Sequence, residues 1–196
     1  MDYTNPNILN IYLHGSRVYG TASEKSDYDY ICVVEDDFFT KEILVEEKHD
    51  YHFVKKSDWI KKCKDNHLDF CECYFLPADC KIKETFRPEL VIEKPKIRAN
   101  FSHIASNSFV KCKKKLTVEK DYDPYIGKKS LWHSFRILMF GIQILESGKI
   151  NDYSCANFLY DEIVNNPENN WSYYKERYGQ LYNNYKSKFR SFDREN

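Results

Sequence analysis

Two aspartates, Asp27 and Asp29, lie at the start of the run YDYICVV, which occupies residues 28–34. A short apolar run of this kind predicts a buried strand. Alternate residues of a strand share a face, so both carboxylates point the same way, about 7 Å apart along the chain. Because carboxylates entering a buried strand are costly unless something offsets their charge, the pair predicts that this end of the strand binds cations.

A glycine–serine pair, Gly15 and Ser16, follows an earlier apolar run and lies ten residues before Asp27. A turn after a strand presents backbone N–H groups to an anion, and glycine lets a phosphate approach the backbone closely. The Ser16 hydroxyl adds a hydrogen-bond donor, and Arg17 adds positive charge. One end of this stretch therefore suits a triphosphate, and the other suits Mg²⁺, which prefers oxygen ligands.

Two neighbouring cations can clamp an in-line phosphoryl displacement, and such a site needs a third acid from an adjacent strand. Asp50, within the extended run at residues 42–56, is the predicted third acid. His52, two residues later on the same face of the strand, is then expected to point toward the same site. The acids at residues 35–37 directly follow the strand end and are predicted to form a solvated turn.

The chain changes character near residue 93. Upstream, apolar runs alternate with polar breaks, which predicts strands at residues 7–15, 28–36, 42–56 and 70–77 and a helix capped by Ser57 at residues 57–67. Downstream, apolar residues recur at three- and four-residue steps, which predicts helices at residues 95–115, 127–149, 154–166 and 171–189. We therefore predict an α+β fold with a short mixed sheet in residues 1–92, followed by a helical half in residues 93–196.

Bulk composition limits the partners. Thirty Lys and Arg balance thirty Asp and Glu, so no whole-molecule field attracts nucleic acid and any such attraction must be local. The chain shows no membrane-spanning run and no signal-peptide pattern, and its odd number of seven cysteines predicts free thiols in a reducing, cytoplasmic compartment. Cys71 and Cys73 are interpreted as small apolar residues on one face of a strand, because zinc-binding cysteines usually have two to four residues between them.

Residues 15–30, GSRVYGTASEKSDYDY, resemble the signature of the DNA polymerase β-like nucleotidyltransferase superfamily, Gly-Ser followed after about ten residues by Asp-x-Asp within a strand. They are similar to a predicted bacterial and phage subgroup whose motif reads near G-S-x-A-Y-G-x-x-x-x-x-S-D-x-D. The segment KKCKDNHLDFCECYFLP is similar to the subgroup's LLKGNPNxLEWL, with Asn66 and Glu72 at corresponding places. Residues 127–150 are similar to its helix with an early Lys, a later Arg and LLxxGK at the end. Val18 replaces the usual alanine and His67 the proline.

The resemblance implies a nucleotidyltransferase fold, a twisted mixed sheet with flanking helices, followed by a helical domain that closes the nucleotide cleft. It implies that Asp27 and Asp29 bind both metals, Mg²⁺ or Mn²⁺. Asp50 would be the third carboxylate, which binds the catalytic metal and takes the proton from the attacking hydroxyl. Gly15 and Ser16 would form the triphosphate-binding turn.

Three basic residues, Lys129, His133 and Arg136, fall on one face of the helix at residues 127–149. We predict that Lys129, with Arg136 in support, reaches the nucleotide phosphates, because a cation that opens a helix is disfavoured by the helix dipole unless an anion is present. The alternative is that this basic face is simply solvated.

Two functions of different class remain open. The first is a Mg²⁺-dependent enzyme that transfers a nucleoside monophosphate from an NTP such as ATP to a hydroxyl of an RNA end, a protein or a small molecule, with release of pyrophosphate. The second is a non-catalytic binding module or antitoxin-like regulator that retains the fold. A module has no need to bury three acids, so the complete acidic set favours the enzyme. The sequence leaves the acceptor, the preferred NTP and the oligomeric state open.

Overall fold

A computed structural model describes residues 1–38 and 41–192 of the chain. The chain divides into two compact units, Met1–Ile92 and Glu93–Asn196. The final part of the helical half expected from the sequence, residues 193–196, lies outside the described residues. In the described ranges, no helix has the length and apolar character needed to cross a membrane.

The N-terminal unit is built on a five-stranded mixed sheet with the strand order β3-β4-β2-β1-β5. Its strands are β1 (Ile8–His14), β2 (Tyr28–Val34), β3 (Ile43–Glu46), β4 (His49–Lys55) and β5 (Lys81–Glu84). Its helices are α1 (Ser16–Tyr19), α2 (Lys56–Lys64) and α3 (Leu68–Phe75). Strands β2 and β4 pair in parallel, and the other neighbours in the sheet pair antiparallel. The predicted α+β fold with a mixed sheet is confirmed.

Aromatic side chains cover both faces of this sheet. On one face, Trp59 of α2 stacks on Tyr12 of β1 at 5.9 Å between ring centroids, and Phe70 of α3 lies 5.0 Å from Trp59. On the opposite face, the register partners Tyr30 and Tyr51 stack at 5.0 Å within a buried cluster. Each such fully buried side chain contributes about 1.5–3 kcal/mol of hydrophobic stabilisation, so both faces anchor the strands whose ends carry the acids.

The long strand predicted at residues 42–56 is wrong, because the chain turns back within it. Strands β3 and β4 form an antiparallel hairpin in which Glu46 pairs with His49. The turn is made by Glu47, which adopts a left-handed conformation with φ of 53°. Hairpin turns of this kind usually contain Gly or Asn. The sequence EEKH contains neither, so the turn could not be predicted from the local sequence.

The strand predicted at residues 70–77 is also wrong. Residues Leu68–Phe75 form helix α3, with the His67 side chain accepting a hydrogen bond from the Asp69 backbone N–H. Asp69 in the first turn suits the positive end of the helix and binds Lys62 at 2.6 Å. A short run that is apolar on every side is compatible with a buried strand or a buried helix, and here packing decided in favour of the helix.

The cap of α2 differs from the prediction as well. Strand β4 leads directly into the helix, so Lys55 is the N-cap residue and Ser57 lies inside the first turn. The Asp36 carboxylate accepts a hydrogen bond from the Ser57 backbone N–H at 2.9 Å. This bond lowers the pKa of Asp36. Asp36 therefore fixes the start of α2 and is more than part of a solvated turn.

The C-terminal unit is helical. It contains α4 (Lys94–Thr117), α5 (Pro124–Ser147), α6 (Tyr160–Ile163) and α7 (Trp171–Ser191). The predicted helix at residues 154–166 is reduced to a 3₁₀ turn, Asn157–Leu159, and the single turn α6. Gly148 ends α5 in the left-handed conformation, with φ of 76°, as the sequence predicted.

Helix α5 is the centre of this unit and is buried on most of its circumference. It begins at Pro124, with the Asp123 side chain accepting a hydrogen bond from the Ile126 backbone N–H at 3.0 Å. The predicted start at residue 127 was therefore one turn late. Lys129 consequently lies in the second turn, where the helix dipole acts on it only weakly.

Gly141 of α5 marks a close approach of three helices. A Cβ at this position would lie 2.5 Å from the Phe189 ring of α7 and 3.2 Å from the Phe101 ring of α4. Both rings are fully buried, so neither has space to move aside. The absence of a side chain at residue 141 therefore sets how closely α7 packs on α5.

Gly141→Ala is expected to lower the free energy of unfolding by about 1–3 kcal/mol, because overpacking outweighs the gain in helix propensity. Gly179→Ala in α7 is the matched control, since a Cβ there meets nothing within 4 Å. That control should be stabilised by up to about 1 kcal/mol. Denaturant titration followed by circular dichroism measures both values, and equal stability of the two variants would contradict the packing described.

Candidate functional site

The predicted acids lie at one end of two neighbouring strands. In the parallel pair β2–β4, Asp29 is the direct register partner of Asp50. Directly paired residues share a face of the sheet, and Asp27, two residues before Asp29, has the same parity. Asp27 is exposed, whereas Asp29 and Asp50 are half-buried. The strand register therefore places Asp29 and Asp50 side by side on one face, with Asp27 leading into it.

The same row of residues extends across the sheet in both directions. His14, the last residue of β1, pairs with Asp29, and Val45 of β3 pairs with Asp50. His52, two residues after Asp50, is exposed and has the parity expected from the sequence. One edge of one sheet face thus carries an imidazole, two carboxylates and an aliphatic side chain in register.

The Gly15–Ser16 turn lies against this row. Gly15 has φ of 75° and ψ of −153°, and a Cβ at this position would overlap the carboxylate of Asp29. The Gly15 carbonyl accepts hydrogen bonds from the backbone N–H groups of Val18 and Tyr19, which starts α1 directly after the turn. Glycine is required here both for its backbone conformation and for the space that Asp29 occupies.

Arg17 binds the loop that leads to Asp27. Its guanidinium donates to the Ser26 carbonyl at 2.6 Å and to the Asp27 carbonyl at 3.3 Å. It also stacks over the Tyr28 ring, 3.5 Å from the ring centroid. Arg17 therefore fastens α1 to the residues just before β2, an orienting role that the sequence did not predict. Its predicted contact with phosphate stays a prediction.

A buried network lies next to the Gly15–Ser16 turn and includes Glu72, whose part in the site the sequence left open. Glu72 of α3 accepts hydrogen bonds from Tyr19 Oη and from His14 Nε2, both at 2.7 Å. The signal was present, because Glu72 is a single acid within an otherwise apolar segment, FCECYF. Its partners were not identified, because that segment was predicted to be a strand and forms helix α3 instead.

The basic residues predicted in the helical unit have different environments. Lys129 is half-buried, with its ammonium 5.9 Å from the centroid of the Tyr125 ring. Arg136 is 4% exposed, donates from Nε to His133 Nδ1 at 3.2 Å, and lies over the Phe140 ring at 4.8 Å. The alternative of a fully solvated basic face is therefore wrong for Arg136. The prediction that Lys129 and Arg136 serve the nucleotide stays a prediction.

The cysteines show no metal-binding arrangement. Cys71 and Cys73 are fully buried in α3, and burial raises the pKa of both thiols, which disfavours the thiolate that a metal needs. All seven cysteines are free. Across residues 1–38 and 41–192, no group of three or more His, Cys, Asp or Glu side chains, the three aspartates included, is placed so that it could hold a metal ion.

A cavity of about 470 Å³ lies at the opposite ends of β2 and β4 from the aspartates. Val34 and Lys55, the last residues of these two strands, line it together with side chains of both charges from α2 and its flanks. Because its basic and acidic groups are mixed, the cavity indicates no single class of ligand. The acids at the other end of the strands form the candidate site.

Part of the chain matches a known protein family. Residues 3–75, which span β1 to α3, match the family model described as Polymerase beta, Nucleotidyltransferase. A search of curated proteins finds no significant match. Among solved structures, the chain is similar to spectinomycin adenyltransferase AAD(9) from Enterococcus faecialis, determined with ATP and spectinomycin. The identity is 12% and the TM-score 0.44, over 97% of this chain and 92% of that chain.

The matched segment contains the Gly15–Ser16 turn and all three aspartates. It also contains the parallel pair β2–β4, whose register brings Asp29 and Asp50 together. Residues 3–75, which make up most of the N-terminal unit, therefore match the polymerase β nucleotidyltransferase family.

Proposed function

We propose that this protein is a Mg²⁺-dependent nucleotidyltransferase that transfers a nucleoside monophosphate from an NTP to a hydroxyl acceptor and releases pyrophosphate. The observation that carries the proposal is the register of β2 and β4, which sets Asp29 beside Asp50 next to the Gly15 turn. Like charges at directly paired positions destabilise a sheet. A non-catalytic binding module would have no use for a pairing that lowers its stability.

The donor set fits a hard divalent cation. Asp27, Asp29 and Asp50 offer carboxylate oxygens, which Mg²⁺ and Mn²⁺ prefer. Mg²⁺ is usually held by one or two carboxylates together with water and substrate phosphates. The three aspartates would therefore hold the metal jointly with the triphosphate. When bound, the metal supplies neutralisation of the charge that develops on the phosphates.

Different groups of the N-terminal unit would serve different steps of the reaction. The N–H groups of the Gly15–Ser16 turn and the Ser16 hydroxyl would bind the β- and γ-phosphates. As the oxygen of the acceptor hydroxyl forms a bond to the α-phosphorus, Asp50 would accept the proton of that hydroxyl. The bond from the α-phosphorus to the bridging oxygen breaks, and pyrophosphate leaves. Arg17, through the Ser26 and Asp27 carbonyls, would keep the Asp27 loop in place.

In the helical unit, Lys129 is proposed to approach the phosphates when this unit closes over the nucleotide. A fixed cation near the leaving phosphates lowers the barrier without needing to reorganise. Arg136 is proposed to act in support, because its contacts with His133 and Phe140 hold the middle of α5. The acceptor is proposed to be a hydroxyl of an RNA end, a protein or a small molecule.

Asp27→Asn and Asp29→Asn are each expected to abolish nucleotidyl transfer while leaving the protein folded, because they remove metal ligands from the site. The apo protein should be equally stable or slightly more stable, since like-charge repulsion is relieved. The assay incubates the protein with each α-labelled NTP and Mg²⁺, alone and with total RNA, and digests the product with nuclease or protease. Asp37→Asn is the control, because Asp37 is exposed beyond the end of β2.

A folded Asp27→Asn/Asp29→Asn double variant with full activity would refute the assignment of these ligands. If the wild-type protein transfers label from no NTP to itself, to RNA or to small acceptors, the alternative of a non-catalytic module is favoured.

Ser16→Ala is expected to weaken NTP binding by about 1 kcal/mol, roughly fivefold in dissociation constant, because one hydrogen bond to phosphate is lost. The affinity for the bare nucleoside should not change. Calorimetric titration with a non-hydrolysable NTP and with the nucleoside measures both. Equal affinity of the wild-type protein for these two ligands would exclude a triphosphate site at the turn.

Lys129→Ala is expected to raise KM for the NTP or to lower kcat, with little change in the thermal midpoint, because Lys129 is only half-buried and its ammonium lies 5.9 Å from the centroid of the Tyr125 ring. Lys113→Ala, which removes an exposed lysine of α4, is the control. Arg136→Ala should instead lower the thermal midpoint, since its guanidinium is buried beside Phe140. Wild-type kinetics for Lys129→Ala would show that this residue does not serve the phosphates.

A further inference from the structure

Glu72 places a carboxylate in the interior of the N-terminal unit. Its side chain is 2% exposed, and its neighbours in α3, Cys71 and Cys73, are fully buried. A buried carboxylate is strongly destabilising unless hydrogen bonds and compensating charge surround it. The groups that bind Glu72 therefore identify what this acid holds in place.

Two side chains meet on one oxygen of Glu72. Tyr19 Oη donates to Oε2 at 2.7 Å, and His14 Nε2 lies 2.7 Å from the same atom. Tyr19 Oη and His14 Nε2 are themselves 3.1 Å apart. His14 is the residue directly before Gly15, and Tyr19 is the last residue of α1. Glu72 thus binds both ends of the short segment that contains the Gly15–Ser16 turn.

The segment from His14 to Tyr19 is also in contact with Asp29. The Gly15 backbone lies so close to Asp29 that a Cβ would overlap its carboxylate, and His14 is the register partner of Asp29. A shift of the segment would therefore change the separation between the Gly15–Ser16 turn and the Asp29 carboxylate. The hydrogen bonds of His14 and Tyr19 to Glu72 oppose such a shift.

We propose that Glu72 is a positioning residue for nucleotidyl transfer. Through Tyr19 and His14 it fixes the turn that binds the triphosphate relative to Asp29, the ligand of the metal. This inference rests on the proposed function. Glu72 acts through Tyr19 and His14. Because a misplacement of about 1 Å at a reacting centre costs about 100-fold in rate, two hydrogen bonds that fix this spacing have a large effect on turnover.

The chain offers a matched pair of tyrosines for the test. Tyr19 and Tyr12 are each 2% exposed, and each hydroxyl donates to a glutamate. Tyr19 Oη binds Glu72 at 2.7 Å, and Tyr12 Oη binds Glu84 of β5 at 2.9 Å. Tyr19→Phe and Tyr12→Phe therefore delete the same chemical group from the same unit, but only the first deletion touches the proposed positioning network.

The measurements are kcat for transfer from ATP and the Mn²⁺ concentration that gives half-maximal ATP binding. Tyr19→Phe and Glu72→Gln should lower kcat by about 10- to 100-fold and raise the Mn²⁺ requirement several-fold. Tyr12→Phe should stay within about twofold of the wild type in both, at a comparable loss of thermal midpoint. The Mn²⁺ measurement needs no acceptor, so it remains decisive while the acceptor is being sought.

Equal losses of activity and of Mn²⁺ affinity in Tyr19→Phe and Tyr12→Phe would overturn the inference, because a purely structural network would act in that way. Wild-type values in Tyr19→Phe would overturn it too, and this variant decides the question if Glu72→Gln does not fold. Failure of the wild-type protein to bind ATP with Mn²⁺ would overturn the proposed function as well. That outcome can be told apart from a failure of the Glu72 inference alone, because it is seen with the wild-type protein before any variant is compared.

Discussion

Asp29 and Asp50 lie side by side on parallel neighbouring strands, and the rest of the N-terminal unit is organised around this unfavourable pairing. Like charges at directly paired positions repel, so the buried parts of β2 and β4 must hold the register against that repulsion. The stack of Tyr30 on Tyr51 lies one residue further along the same two strands, on the opposite face. The unit thus holds two carboxylates side by side, and the proposed metal site depends on this arrangement.

The parallel pairing itself depends on the hairpin between β3 and β4. The left-handed Glu47 returns the chain so that β4 runs beside β2 in the same direction. Without that reversal, residues 42–56 would continue as one strand and Asp50 would occupy a different place in the register. A backbone conformation that is unusual for glutamate therefore determines where the third acid lies.

Close approach also shapes each unit separately. In the N-terminal unit, Gly15 leaves the space that the Asp29 carboxylate occupies, and Glu72 joins β1, α1 and α3 beneath the turn. In the helical unit, Gly141 leaves the space that the Phe189 ring of α7 occupies. In both places a missing side chain lets two elements pack closely, so that small displacements are strongly opposed.

The sequence by itself determined the α+β architecture, the Gly15–Ser16 turn and the acids at residues 27 and 29, because these depend on local periodicity and on short, fixed spacings. It did not determine that residues 68–75 are a helix, because an apolar run of that length suits either a strand or a helix. Nor could it assign Glu72, whose partners His14 and Tyr19 lie more than fifty residues earlier in the chain. The position of Asp50 beside Asp29, the burial of Arg136 and the network under the turn were decided by the tertiary structure, because each depends on which distant segments pack together and no local pattern specifies that choice.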